Sequence, residues 1–391
     1  MNRRIAFLAV LLAAAPASVS GQSLFNAAGM GVPADPLDAR TRGLGGVGIG
    51  LRGAALLGSD PAAAADFLLP SISLTAQPAW VAFDRSDGLE AGTFQGTRFP
   101  SVGIAYPTIR SVIATLTLES FLDQRYEANW VSSVSVGGEP VEVRDRFVSQ
   151  GGVSQIRFGV ARRFGPSLAL GVSAARYGGS LTRRLVRDFG EGVDTTVVEP
   201  FQAGGFWGYS GAALTGGASL TLGGVAHVSG SVTWSTPLDA TASDDTEGES
   251  RSYDLPLQVR LGATAVLAPG LALSAGLTRA DWSSLDDDLR GSVSAGPTAS
   301  YGVGLELTRA RLFGRAAPLR VGYRKADLPF ALGVGTPTEV VWAGGMGLNL
   351  SQTGEVVRAA LDLALERGDR SDSLLKERFW RATLTVRVAG L

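Results

Sequence analysis

Along most of the chain, apolar residues fall on every second position. Between Leu255 and Leu267 the residues Leu255, Leu257, Val259, Leu261, Ala263, Ala265 and Leu267 share one parity, and Gln258, Arg260, Gly262 and Thr264 share the other. A β-strand turns successive side chains to opposite faces, so this pattern marks a strand with one apolar and one polar side. Ala226, Val228, Val232 and Trp234 repeat it against His227, Ser229, Ser231 and Thr233. Trp380, Ala382, Leu384, Val386 and Val388 do so against Arg381, Thr383, Thr385 and Arg387. The alternation predicts fourteen strands, near 71–83, 100–106, 111–121, 152–163, 167–178, 206–222, 225–236, 254–267, 271–281, 298–309, 319–326, 339–350, 355–366 and 378–389. Residues 355–366 place Arg358, Asp362 and Glu366 at helical spacing. Val357, Ala359, Leu361, Leu363 and Leu365 nevertheless keep strict alternation, and the segment reads as a strand.

The connections alternate as well. Tight links at Gly165-Pro166, Gly223-Gly224, Pro269-Gly270 and Gln352-Thr353-Gly354 are interleaved with long polar stretches near 84–99, 122–151, 179–205, 237–253, 282–297, 327–338 and 367–377. The expected fold is all-β: a transmembrane antiparallel up-and-down β-barrel of about fourteen strands, with short turns on one rim and long loops on the other. A soluble sandwich shares the alternation but has no reason to sort its loops. Trp80, Tyr106, Trp234, Trp282, Tyr301, Trp342 and Trp380 fall near strand ends, where an interfacial girdle would place them. Past the first 21 residues no run approaches the roughly 18 uninterrupted apolar residues of a membrane helix. Closure of strands into a ring is then what would satisfy the backbone in hydrocarbon.

Composition narrows the chemistry. Zero Cys excludes disulfides and thiolate metal sites, and a single histidine, His227, leaves no His-rich metal site. No catalytic constellation and no cofactor motif emerges, so an enzyme is not expected. With 35 Lys+Arg against 36 Asp+Glu the chain carries no basic field for nucleic acid. The acidic runs Asp244-Asp245-Thr246-Glu247-Gly248-Glu249 and Asp286-Asp287-Asp288 lack the spacing of a Ca²⁺ loop and read as solvated.

Residues 1–21 read as an export signal, with Arg3 and Arg4, an apolar core from Ile5 to Ala15, and the exit Val19-Ser20-Gly21. Export and a membrane barrel together select the bacterial outer membrane. The expected surroundings are outer-membrane lipid and lipopolysaccharide, and the barrel-assembly machinery is the expected partner during insertion. Residues 71–391 make the barrel in this reading. Residues 22–70 do not alternate and are dense in Gly, Ala and Pro. Since a fourteen-strand ring is wider than its own side chains fill, this segment reads as a luminal plug. Within it Gly43, Gly45 and Gly48 satisfy a dinucleotide-type pattern, but no strand precedes and no helix pattern follows.

The order of parts carries a resemblance. An export signal, the Gly-rich stretch from Ala39 to Gly48, the element Asp60-Pro61-Ala62 and fourteen strands together resemble the FadL family of long-chain fatty acid transporters and its PorV-type relatives. Two departures are Asp60, where the family usually carries Asn, and the end Val388-Ala389-Gly390-Leu391 in place of a terminal aromatic. The resemblance implies an N-terminal hatch carrying Gly43, Gly45, Gly46, Gly48, Asp60, Pro61 and Ala62. It implies hydrophobic ligands such as fatty acids, caught near the outer rim and released sideways through a gap in the wall, for which Pro107–Arg110 is a candidate. An apolar ligand forced through a watery pore would lose roughly 0.8 kcal/mol per methylene. The PorV-like alternative is a barrel that docks or shuttles secreted proteins, with secretion-system partners. On the inward parity lie Glu119, Arg157, Arg260, Glu306, Arg320, Arg324, Arg358, Asp362, Glu366, Arg381 and Arg387, which either pair across the lumen and fasten the plug or meet a carboxylate ligand. His227, on the same face, reads as a lumen filler.

Overall fold

The computed structural model describes residues 23–85, 92–136, 139–189, 201–246, 248–289, 293–353 and 356–390. The predicted export signal therefore lies outside the described residues. Fourteen strands form the wall: β1 (Ser71–Arg85), β2 (Gly92–Pro107), β3 (Val112–Asp123), β4 (Glu139–Phe164), β5 (Leu168–Asp188), β6 (Phe201–Leu222), β7 (Ala226–Ser235), β8 (Gln258–Ala268), β9 (Leu271–Asp281), β10 (Pro297–Leu307), β11 (Leu319–Asp327), β12 (Thr338–Thr353), β13 (Val356–Ser371) and β14 (Leu375–Ala389). Each pairs antiparallel with the next, and β14 returns to β1 with Trp380 opposite Trp80, so the ring is closed. All fourteen expected strands are present, the segment expected near 355–366 among them as β13 from Val356 onward. No helix among the described residues is long and apolar enough to cross a membrane.

The distribution of side chains is inverted relative to a water-soluble core. Leu116, Ile156, Leu214, Leu261, Val303, Val321 and Leu365 point outward and are exposed, whereas Glu119, Thr215, Thr383 and Glu366 point inward and are buried. An exposed apolar band of this extent is stable against lipid, not water. Trp80, Tyr106, Trp234, Tyr301, Trp342 and Trp380 lie exposed on the outward face, as a girdle requires. Trp282 departs from that expectation. It is buried at the long-loop end, edge-on to Phe330 at 5.6 Å, within an apolar cluster that includes Leu285 and Leu289.

Several stretches expected to be long loops are strand instead. β2, β4, β5, β6 and β13 run well past the apolar band, and Tyr126–Val136 forms a hairpin arm on the first half of β4. Beyond the bilayer both faces of a strand meet polar surroundings, so its alternation fades while the backbone ladder continues. Pairs such as Arg187 with Asp145, at 2.7 and 2.8 Å, hold these extensions together. On the short rim the connection between β10 and β11 is longer than a tight turn and carries the two-residue pairing of Arg311–Leu312 with Arg315–Ala316.

Candidate functional site

Residues 23–70 pack against the inner wall and touch it almost all the way round. The Ser23 hydroxyl and the Leu24 amide donate to Glu377 on β14, each at 2.7 Å. A short helix, α1 (Ala39–Gly43), starts where the Asp38 side chain accepts from the Thr41 amide, and the Ala39 amide donates to Thr385 on β14. Arg40 pairs with Glu306 on β10 at 2.8 Å, Thr264 on β8 donates to the Gly50 carbonyl, and Ser231 on β7 donates to the Ser59 carbonyl. Asp66 pairs with Arg163 on β4.

Glycine sets how closely the segment approaches. Gly45 and Gly50 have φ of 72° and 74°, and a Cβ on either would stand 2.4 Å from wall backbone, at Tyr323 and Gly262 respectively. The wall answers with glycines of its own: a Cβ on Gly262, Gly302, Gly304 or Gly322 would come within 2.6 Å of backbone between Leu44 and Ile49. The Asp60-Pro61-Ala62 element opens the short helix Pro61–Asp66 and rests on Gly171 of β5 and Gly217 of β6. Asp60 accepts from the Gly50 amide at 3.0 Å, tying the two motifs together, while its other carboxylate oxygen is buried without a partner.

The charged residues expected in the lumen are mostly tied to one another. Arg381 makes a bidentate pair with Glu366 at 2.7 and 2.9 Å. Arg320 bridges Glu306 at 2.8 Å and Asp362 at 2.5 Å. Arg157 meets Glu119 at 3.4 Å and donates to Ser173 and Thr215. Arg260 donates to Gln258 and Thr233, and Arg387 donates to the Ala54 carbonyl. Arg324 joins Glu339 and Asp35. Arg358 departs from expectation: it keeps the inward parity of β13 but lies at the short rim, where it is exposed rather than enclosed. His227 is buried beside Thr221, its Nδ1 3.0 Å from the hydroxyl. Among the described residues no acidic group is arranged to hold a metal ion.

Two of the cavities among the described residues bear on the site. The larger, about 470 Å³, lies at the long-loop end and is lined by Met30, Leu181, Trp207, Tyr209, Tyr253 and Leu289, with Arg183 and Arg251 also on its wall. The smaller, about 110 Å³, lies deeper and is dominated by Arg42, Arg98, Arg260, Arg324, Arg370 and Arg381, facing Asp35, Asp327 and Glu339. Arg42 is buried, and its Nε and one terminal nitrogen have no hydrogen-bond partner. Burial pushes its pKa down to about 10, the neighbouring charge of Arg381 adding to the fall and Glu366 opposing it. A buried cation with idle donors favours a nearby negative charge, and Glu366 at 3.8 Å meets this only in part. Sequence reasoning missed Arg42, Arg98 and Arg370, because Arg42 sits in the non-alternating segment and the other two in stretches read as loops.

Among the described residues the ring is closed, but the ladder between β2 and β3 is partial. β2 pairs with β3 only from Ser101, opposite Glu119, to Pro107, opposite Ile113. Farther out, β2 follows β1 alone, and among the described residues no strand takes its other edge. β3 leans inward there: Leu122 and Asp123 pair with Pro33 and Val32, and the Ala34 amide donates to the Phe121 carbonyl at 2.8 Å. Gly151, Gly152 and Gly179 at this level have φ of 127°, 157° and 141°, and a Cβ on Gly152 would stand 2.3 Å from the Leu122 carbonyl oxygen. The bend thus depends on residues without side chains. Phe99, about half exposed, stands on the lip of the resulting seam. The Pro107–Arg110 segment is no gap; the ladder runs unbroken to the tight turn at Ile109–Ser111.

No family model matches the chain, and no curated protein matches it either. Solved structures do. A Pseudomonas aeruginosa FadL homologue superposes with a TM-score of 0.63 at 10% identity, covering 92% of this chain and 100% of its own. The toluene transporter TbuX of Ralstonia pickettii gives 0.56 at 14%, covering 91% and 99%. The toluene transporter TodX of P. putida gives 0.55 at 13%, covering 90% and 98%. These neighbours are transport proteins rather than enzymes, and at such identities the likeness is one of fold.

Proposed function

Starting from a chain with the fold of the FadL-type outer-membrane channels for hydrophobic compounds, we propose that it carries small apolar molecules, fatty acids among them, across the bacterial outer membrane after export. Residues 22–70 act as the hatch, and the barrel of residues 71–391 is the conduit. The observation that carries this reading is the contrast between bore and wall. The bore holds the N-terminal segment and is laced with buried ion pairs such as Arg381 with Glu366, whereas the outer part of β2 pairs with β1 alone, which supports a sideways exit there. An apolar molecule gains nothing from a charged bore and gains burial from a sideways path into lipid.

The two cavities suit an amphiphile. A chain or ring would rest against Met30, Trp207 and Tyr209, in a volume within the usual range for small-molecule sites, while an acidic head would be drawn to the arginine-rich smaller cavity that Arg42 helps to line. Release then follows the seam at Phe99, after Val32 and Pro33 let go of β3. The test is uptake of oleate and of toluene into phospholipid vesicles carrying the purified protein. Both are expected to load faster than into empty vesicles; equal rates would overturn the reading.

A further inference from the structure

We propose that the outward face of β11, β13 and β14 binds the phosphate groups of an anionic lipid in the outer leaflet, through Lys325, Arg367 and Arg378. This rests on the membrane reading above but not on what passes through the barrel.

The ladder fixes the arrangement. One row across the wall reads Tyr301, Lys325, Val340, Asp369, Arg378 and Ala82, each the partner of the next. The row beneath it, toward the short rim, reads Tyr323, Trp342, Arg367, Trp380 and Trp80. Arg367 therefore stands inside the aromatic girdle between two tryptophans, its guanidinium 5.5 Å from the Trp380 ring centre. Lys325 and Arg378 lie one step farther out, and the apolar band of Val321, Leu363 and Leu365 begins immediately below. This is the level of lipid headgroups.

Charge singles the patch out. Among the described residues none of the three cations forms a salt bridge, and Asp369 is the acid within their two rows. One row above, Lys376 and Asp84 face each other and offset one another, and the Asp327 carboxylate in that row accepts from the Ala299 amide on the edge of the inner cavity. Three cations less one acid leave two positive charges, held where a rigid sheet meets the headgroups. Unpaired cations at that depth are complementary to lipid phosphate. The apolar band directly beneath supplies the place for acyl chains, which is why a lipid rather than free phosphate is the fitting occupant.

The experiment measures lipid retained per barrel after the detergent-purified protein passes through phosphatidylcholine nanodiscs doped with diphosphorylated lipid A, or with the same lipid dephosphorylated. At about fivefold per net charge, the parent is expected to enrich the phosphorylated form roughly 25-fold. The triple change Lys325→Gln, Arg367→Gln and Arg378→Gln should abolish that preference, while Arg309→Gln with Arg311→Gln on the short rim should keep it. Asp369→Asn, which removes the repelling charge, should raise retention further and reports even if the triple variant fails to fold. Equal retention of the two lipids by the parent, an unchanged preference in a folded triple variant, no gain in Asp369→Asn, or displacement by inorganic phosphate alone would each overturn the proposal. None of these readouts depends on uptake.

Discussion

At the scale of single residues, two of the incompletely satisfied buried groups, Arg42 and Asp60, each make a distinct prediction. Arg42 has idle donors and no carboxylate at direct hydrogen-bond distance; Glu366 lies 3.8 Å away and is already claimed by Arg381. Arg42→Met, which keeps bulk and removes charge, is expected to leave the unfolding midpoint in detergent unchanged or higher. It should weaken oleate binding by about tenfold or more and spare toluene, a split that tryptophan fluorescence titration would read. Asp60 differs in kind. Burial holds its carboxyl above the ordinary range, with the Gly50 amide pulling the other way. A carboxyl whose folded pKa is raised contributes stability that is fully present below its unfolded pKa and is lost as pH rises through the folded value. Asp60→Asn carries no such titration, so it should match the parent in acid and exceed it at neutral pH by about 1–2 kcal/mol, the cost of a buried acceptor without a partner. Denaturation midpoints across a pH series check this; a variant less stable than the parent at neutral pH would contradict it.

At the scale of elements, the bend in β3 rests on glycine. Gly152→Ala would drive a methyl into the Leu122 carbonyl, which is main chain and cannot swing aside. The expected cost is about 2–4 kcal/mol, with the seam narrowed and toluene uptake reduced in vesicles; wild-type uptake at full stability would remove the bend from the account. The same region marks the limit of what the sequence discloses. Fourteen strands were legible because lipid on one side and a polar interior on the other stamp an alternation such as that of Leu255 to Leu267. The outer extensions of β2, β4 and β5 were not, since no apolar face is demanded of them beyond the bilayer. The seam was illegible for another reason: it depends on which edge Leu122 and Asp123 choose, and nothing in their own alternation records a pairing with Val32 and Pro33. Among the inward charges, parity found Glu366, Arg381, Glu306 and Arg320. It failed for Arg358, whose parity is right but whose position along β13 lies at the rim. The glycines of the N-terminal segment announced themselves by density, whereas their partners Gly262, Gly302 and Gly322 look like ordinary strand glycines until the two backbones meet.

At the scale of the whole molecule, the fold is an inverted core. Exposed Leu, Val and Trp face outward, and buried Arg and Glu are enclosed with the N-terminal segment. Buried ion pairs are a poor source of net stability, since desolvation offsets most of their attraction, but removing one partner from such a pair costs about 3–5 kcal/mol. Pairs such as Arg40 with Glu306 therefore hold the segment in one place more than they strengthen the ring. On the proposed function, the wall admits apolar molecules while the bore stays closed to polar ones. That claim is tested most directly by the initial rates at which toluene and arabinose reach the interior of the same protein-bearing vesicles. Toluene should load several times faster than into empty vesicles while arabinose stays at the empty-vesicle rate. Arabinose passing freely, or toluene at the empty-vesicle rate, would contradict it.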